Sequence, residues 1–174
     1  MTYKTENDIW TDVIALLNEA LTAKSITGMT VMRSFQPTDV TGKNLVLINR
    51  ISSKRYGWRG RHNKVINNVM THIEKYFQEM RFQISVLKMI NLADVTETTA
   101  SDIANMLIDY LLSDKGLKSL RSKGYMPIRV VDVRIPSFVN QTDNYQLNPN
   151  FDLICTIQQE IIENQNNNYY YDNL

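Results

Sequence analysis

A single cysteine, Cys155, stands among 174 residues. That excludes an intrachain disulfide framework and a multi-cysteine metal site. It lies in an apolar, strand-like run, FDLICTI, where a thiol packs as a small core residue. Histidine is scarce too. His62 and His72 are the two, with no cysteine nearby in sequence and no acidic pair at metal-ligand spacing. There is no GxSxG, no P-loop and no GxGxxG. Gly57 and Gly60 are too few to cradle a phosphate and precede no helix. Carboxylate pairs such as Asp102 and Asp109 sit at solvated helical spacing. No catalytic residue, metal or cofactor is expected. No apolar run approaches the roughly 18 residues that a membrane span requires. The opening MTYKTENDIW is polar, and acidic from residue 6, unlike a secretory signal. The expectation is a soluble protein of a reducing compartment, with no membrane partner. A net charge of +1 leaves no overall attraction for polyanions, so any nucleic-acid contact must come from local charge.

What is present is enough apolar material, 43% of the residues, for the core of one domain. The dominant stretch is Met70–Met89, unbroken by Gly or Pro. Its alternation places Tyr76, Gln78, Met80, Phe82, Ile84 and Val86 on one face, opposite a largely polar face. That pattern predicts a long, half-buried central strand. A helix over Thr71–Met80 competes, because Ile73, Phe77 and Met80 also fall at helical spacing.

Ahead of that stretch, Thr5–Ala23 reads as a helix. Ile9, Val13, Leu16, Leu17, Ala20 and Leu21 draw one apolar stripe, widened by Trp10 and Ile14, and Thr5 and Asp8 have capping-box spacing. Met29–Phe35 and Asn44–Ser52 read as two strands of a hairpin, joined by the turn chemistry of Gln36–Lys43. The continuous LVLI of Leu45–Ile48 suits a strand buried on both faces. After the long strand and the polar bridge NLADVTE, Thr99 caps a helix to Leu112, with Ile103, Met106, Leu107, Tyr110 and Leu111 inward. A short helix over Ser113–Lys123 stops at Gly124. Met126–Val139 and Phe151–Ile162 are strands, separated by the polar loop NQTDNYQLNPN. The sum is an α+β fold: a mainly antiparallel sheet of about five strands with a long hairpin, flanked by two main helices and one short helix. The domain takes residues 1–163. Residues 164–174, NQNNNYYYDNL, cannot build a core and read as disorder, or as an arm that lies on a neighbouring chain through Tyr169, Tyr170 and Tyr171.

One charged feature stands out. Ser53–Asn68 holds Lys54, Arg55, Arg59, Arg61, His62 and Lys64, with Tyr56 and Trp58 between them. Gly57 and Gly60 argue against a helix. The segment is either a basic loop or the exposed ends of a long hairpin. Its cations could meet a phosphate backbone, which would make the chain a small nucleic-acid-binding module. They could equally be solvated, or pair with acidic residues of a neighbouring subunit.

Several phrases together resemble the tail-terminator proteins of tailed bacteriophages, in their neck-terminator or gateway group. They are the helix WTDVIALLNEAL, the strand NLVLINRIS, the strand ending RFQISVLKM, the helix TASDIANMLIDYLL and the closing FVNQTDNYQLNPNFDLICTI. The resemblance runs from about Asp8 to Ile161 and rests on pattern, without an invariant motif. It implies a structural virion protein of the neck, assembled in the host cytoplasm. Six copies would close into a ring that ends the tail tube and joins the tail to the head-completion or connector protein, with DNA passing through the lumen. The family brings no catalytic residues. Lys54, Arg55, Arg59, Arg61 and Lys64 would then face the lumen or the next subunit.

Overall fold

A computed structural model of the protein describes residues 3–34, 44–89, 96–139 and 145–164. The elements run α1 (Glu6–Ala23), β1 (Thr30–Arg33), β2 (Leu45–Ile66), β3 (Val69–Leu87), α2 (Ala100–Leu112), α3 (Asp114–Ser122), β4 (Tyr125–Arg134), β5 (Ser137–Val139), β6 (Tyr145–Leu147) and β7 (Asn150–Asn164). Five strands form one sheet in the order β1-β2-β3-β7-β4, and β5 pairs with β6 in a small second sheet. The α+β class, the five-stranded main sheet, the long hairpin and the helix pair are all as the sequence predicts.

Local chemistry sets the helix ends. The Thr5 hydroxyl accepts from the backbone N–H of Asp8, whose carboxylate accepts in return from the Thr5 N–H. Thr99 and Asp102 repeat that reciprocal capping at the start of α2. Each such cap satisfies backbone donors that the first helical turn leaves orphaned. The predicted stripe of α1 is buried throughout, as is Trp10. The Trp10 indole and the Phe82 ring meet in a T-shaped pair, 5.4 Å between centroids. Phe82, Ile84 and Val86 of β3, Val46 and Ile48 of β2, and Phe151, Leu153 and Cys155 of β7 share one core with the three helices.

The long strand is as expected. Tyr76, Met80, Phe82, Ile84 and Val86 are buried on the helix side and Gln78 is half-buried. The competing helix over Thr71–Met80 is ruled out by continuous antiparallel pairing of that segment with β2 and β7. Burial of β3 on one face along most of its length outweighs the local helical spacing, because a central strand satisfies its backbone on both sides.

Three expectations are corrected. First, β1 and β2 do not form a hairpin. They pair in parallel, Thr30 with Leu45 through Arg33 with Ile48. Parallel strands cannot be joined by a tight hairpin turn, and about eleven residues separate these two. The turn assigned to Gln36–Lys43 lies outside the described residues. Second, the strand expected over Met126–Val139 ends at Arg134. Pro136 has no N–H to continue the ladder, and the chain restarts as β5 in a different sheet. Third, part of the expected polar loop is the strand β6, paired with β5 in the register Phe138 with Gln146. Residues 140–144 of that loop and 91–95 of the polar bridge lie outside the described residues.

Candidate assembly interface

The helical layer covers only part of the sheet. Beyond it, β2, β3 and the end of β7 continue as a three-stranded ribbon. Residues 51–70 are exposed wherever their burial is described. At the tip, Ile66 pairs with Val69 across Asn67 and Asn68, which have φ of +50° and +62°. Two consecutive residues in the left-handed region make the two-residue turn whose twist matches a hairpin, and asparagine tolerates that region better than most residues. The dipeptide Asn67-Asn68 is thus the sequence signal that marks this turn, and of the two readings of Ser53–Asn68, a basic loop or the exposed ends of a long hairpin, the structure shows the hairpin.

The five cations assigned to a basic loop therefore sit on a strand. The register of β2 shifts between Tyr56 and Gly60, and Gly57 has φ of +84°. Glycine permits this bulge without a side-chain clash at positive φ. A Cβ on Gly57 would also meet the Phe77 ring at 3.3 Å. Alternation along β2 then sorts the charges by face. Arg61 lies directly opposite Glu74, its Nε 2.8 Å from the carboxylate, and Arg59 Nη1 approaches the same group at 3.6 Å. His72 touches it too, with Nε2 at 3.4 Å, while its Nδ1 is 2.7 Å from Asn63 Oδ1. The Arg55 guanidinium lies over the Tyr76 ring at 4.8 Å, and that of Arg59 at 5.9 Å. These contacts are cation–π interactions on the face of a buried aromatic ring. The Tyr76 hydroxyl is buried and has no hydrogen-bond partner among the described residues.

Lys54 is placed differently. It pairs across the ladder with Glu79 and lines an open hollow with Tyr56, Glu79 and Arg129. Arg129 Nη2 donates to Glu79 at 2.9 Å. Lys64 lies opposite Thr71, near the tip. The structure thus brings Arg55, Arg59 and Arg61 together around Tyr76 and Glu74 and leaves Lys54 and Lys64 apart from them. Tyr169, Tyr170 and Tyr171 lie outside the described residues.

The ribbon also carries apolar surface that composition alone did not reveal. Val65 is 59% exposed and Ile162 50%, and Met70, Val69 and Ile66 are exposed beside them. Tyr56 and Phe77 stack at 6.0 Å on one face, and the Tyr56 hydroxyl donates to Thr156 Oγ1. At the base, the N-terminal segment is fastened to β7. Lys4 N–H donates to Gln159 Oε1 at 2.9 Å, and Gln159 Nε2 donates back to the Lys4 carbonyl.

The ribbon thus combines exposed apolar residues with a cluster of cations on one extension of the sheet. Among the described residues no group of three or more His, Cys, Asp or Glu side chains could hold a metal ion. No described helix is long and apolar enough to cross a membrane. The buried Cys155 thiol is pushed up to about 12 by burial, and then by the charge of Glu79, so it is a poor nucleophile where it sits. No curated protein matches the chain. The family model of the E217 gateway protein gp29 matches residues 8–166, nearly the whole chain. The chain belongs to that family, a phage gateway and neck family.

Proposed function

We propose that the chain forms a ring in the phage neck, with six copies closing around a channel. The ring ends the tail tube, binds the head-completion or connector protein on its other side, and lets DNA pass through its lumen. Membership of the gateway family gives the chain a structural role in the phage neck and carries this reading. The ribbon supports it. An exposed three-stranded extension with apolar residues at its tip is what a subunit needs to reach its neighbour, and a rotational head-to-tail contact closes into a ring. The ring is assembled in the host cytoplasm and resides in the virion.

The alternative, a nucleic-acid-binding module, has weaker support. Two of its five cations, Arg59 and Arg61, already face Glu74. Phosphate contacts from the remaining cations would be sequence-independent and suited to passing DNA.

Native mass spectrometry and electron microscopy of the full chain, alone and mixed with tail-tube protein, test the proposal. A closed ring of six with a central channel is expected. A chain that stays monomeric in both conditions would overturn it.

A further inference from the structure

The ribbon has two open edges. On one side, β1 covers β2 only from Leu45 to Ile48, and no other strand neighbours β2 from Ile51 to Ile66 among the described residues. On the other side, β4 pairs with β7 only as far as Ile157, and no further strand lies on the outer side of Gln158–Asn164 among the described residues, where Lys4 is held to the Gln159 side chain. Unpaired edges are templates for another strand, and isolated proteins usually blunt them. Here the edges differ in charge. Ser53–Ile66 carries five Lys and Arg side chains and no carboxylate, and with Arg59 and Arg61 on Glu74 the others are Lys54, Arg55 and Lys64. Gln158–Asn164 carries no Lys or Arg, and of its two carboxylates Glu160 pairs with Lys75 of the same chain while Glu163 lies further towards the tip.

Direction agrees as well. β2 is antiparallel to β3, and β3 is antiparallel to β7, so β2 and β7 run the same way. A rotation about an axis along the strands would lay β2 of one copy beside β7 of the next in parallel. The edge of β2 already accepts a parallel strand at its base, where β1 sits.

We infer that the basic edge of β2, Ile51–Ile66, pairs with the acidic edge of β7, Gln158–Asn164, in the next copy of this chain, so that the sheet runs on from subunit to subunit. The inference rests on the ring reading and names the surface that builds the ring. Asn63, His72 and Glu163 stand level across the ribbon. The pairing therefore brings Glu163 of one copy close to Asn63 and Val65 of its neighbour on the same face. It also places the exposed Val65 and Ile162 inside a contact.

Disulfide capture tests the pairing in the assembled full chain. Glu163→Cys is combined with Asn63→Cys, and separately with Val65→Cys, which covers two registers. Within one chain, Asn63 and Glu163 are two strand spacings apart, about 10 Å. A disulfide needs Cα atoms within roughly 7 Å, so a bond between these cysteines joins two copies. Cys155 is buried and supplies the silent background in the unsubstituted chain. A ladder of covalent multimers on a denaturing, non-reducing gel is expected from at least one combination. Rings of unchanged mass with no ladder from either would overturn the edge pairing and leave the ring reading standing. A native chain that stays monomeric with tail-tube protein present would overturn both. As a second measurement, Glu163→Lys in the native background sets like charges across the contact and should weaken assembly about tenfold. An unchanged assembly constant would also overturn the pairing.

Discussion

Arg81 on β3 donates its Nε to Oδ2 of Asp152 on β7 at 2.6 Å, and the Asp152 carboxylate has no exposed surface. Arg134, at the end of β4, donates to the other oxygen at 3.0 Å. Arg81 also reaches Asp132, a non-glycine residue with φ of +54° beside the β4 bulge. One buried carboxylate therefore ties three strands together on the face of the sheet opposite the helices. Asp152 raises the Arg81 pKa first through this hydrogen bond and then through its charge.

Asp152→Asn keeps the shape but removes the charge and turns one acceptor into a donor facing an arginine. Both arginines are partly solvated, so they can turn outward, and the cost stays below that of a fully buried pair. A loss of about 1–3 kcal/mol is expected from denaturant titration. A loss under about 0.5 kcal/mol, the scale of an exposed ion pair, would show that the clamp contributes little.

Gly116 is constrained by space, since its φ is not positive. A Cβ there would lie 2.2 Å from the Tyr110 carbonyl oxygen and 3.1 Å from that of Leu111. Both are backbone atoms at the end of α2, where α3 turns away, so neither can yield as a side chain would. Gly116→Ala should cost about 2–3 kcal/mol by overpacking. For a chain of this size that is a fall of roughly 5–10 °C in the melting temperature. Calorimetry that finds the variant as stable as the parent would refute the close approach.

Glu19 sets an acid limit. The hydroxyls of Tyr110, at 2.5 Å, and Ser119, at 2.9 Å, donate to its two oxygens and lower its pKa below the ordinary 4.5. A lowered carboxylate pKa contributes stability that is present above the unfolded value. That stability is lost as pH falls through the folded one. Tyr110→Phe removes the largest cause. The variant should be less stable than the parent by about 1–2 kcal/mol at pH 7, with the gap closing below about pH 4. A gap that is the same at pH 7 and pH 3 would contradict the assignment.

Glu74 holds Arg59 and Arg61 on the ribbon. Glu74→Gln releases both cations without changing the shape of the side chain. Binding to double-stranded DNA at low salt should strengthen roughly threefold to tenfold, with a steeper dependence on salt. Binding that is unchanged or weaker in a filter or anisotropy assay would mean that Glu74 does not mask these arginines.

How much of this could be read from residues alone depended on distance along the chain. The caps Thr5/Asp8 and Thr99/Asp102 each lie within one helical turn, and the apolar stripes of α1 and α2 follow the helical period. The face of β3 that carries Phe82, Ile84 and Val86 follows the strand period. These are local signals, and they decided the class, the order of elements and the side of each that is buried. Partners distant in sequence left no such signal. Nothing near Thr30 indicates that its strand runs parallel to Leu45–Ile48. Nothing near Arg61 indicates that Glu74 will stand opposite, since that follows from a turn at Asn67-Asn68 and a bulge at Gly57 acting together. The clamp of Asp152 on Arg81 spans 71 residues of chain. Strand register decides such pairs, and register is a property of the closed sheet: a slip of one residue turns every side chain to the other face. Composition and periodicity therefore determined that this chain builds a helix-backed sheet with a charged hairpin. Only the tertiary pairing decided which charges are neutralised and which strand edges lack a partner strand among the described residues.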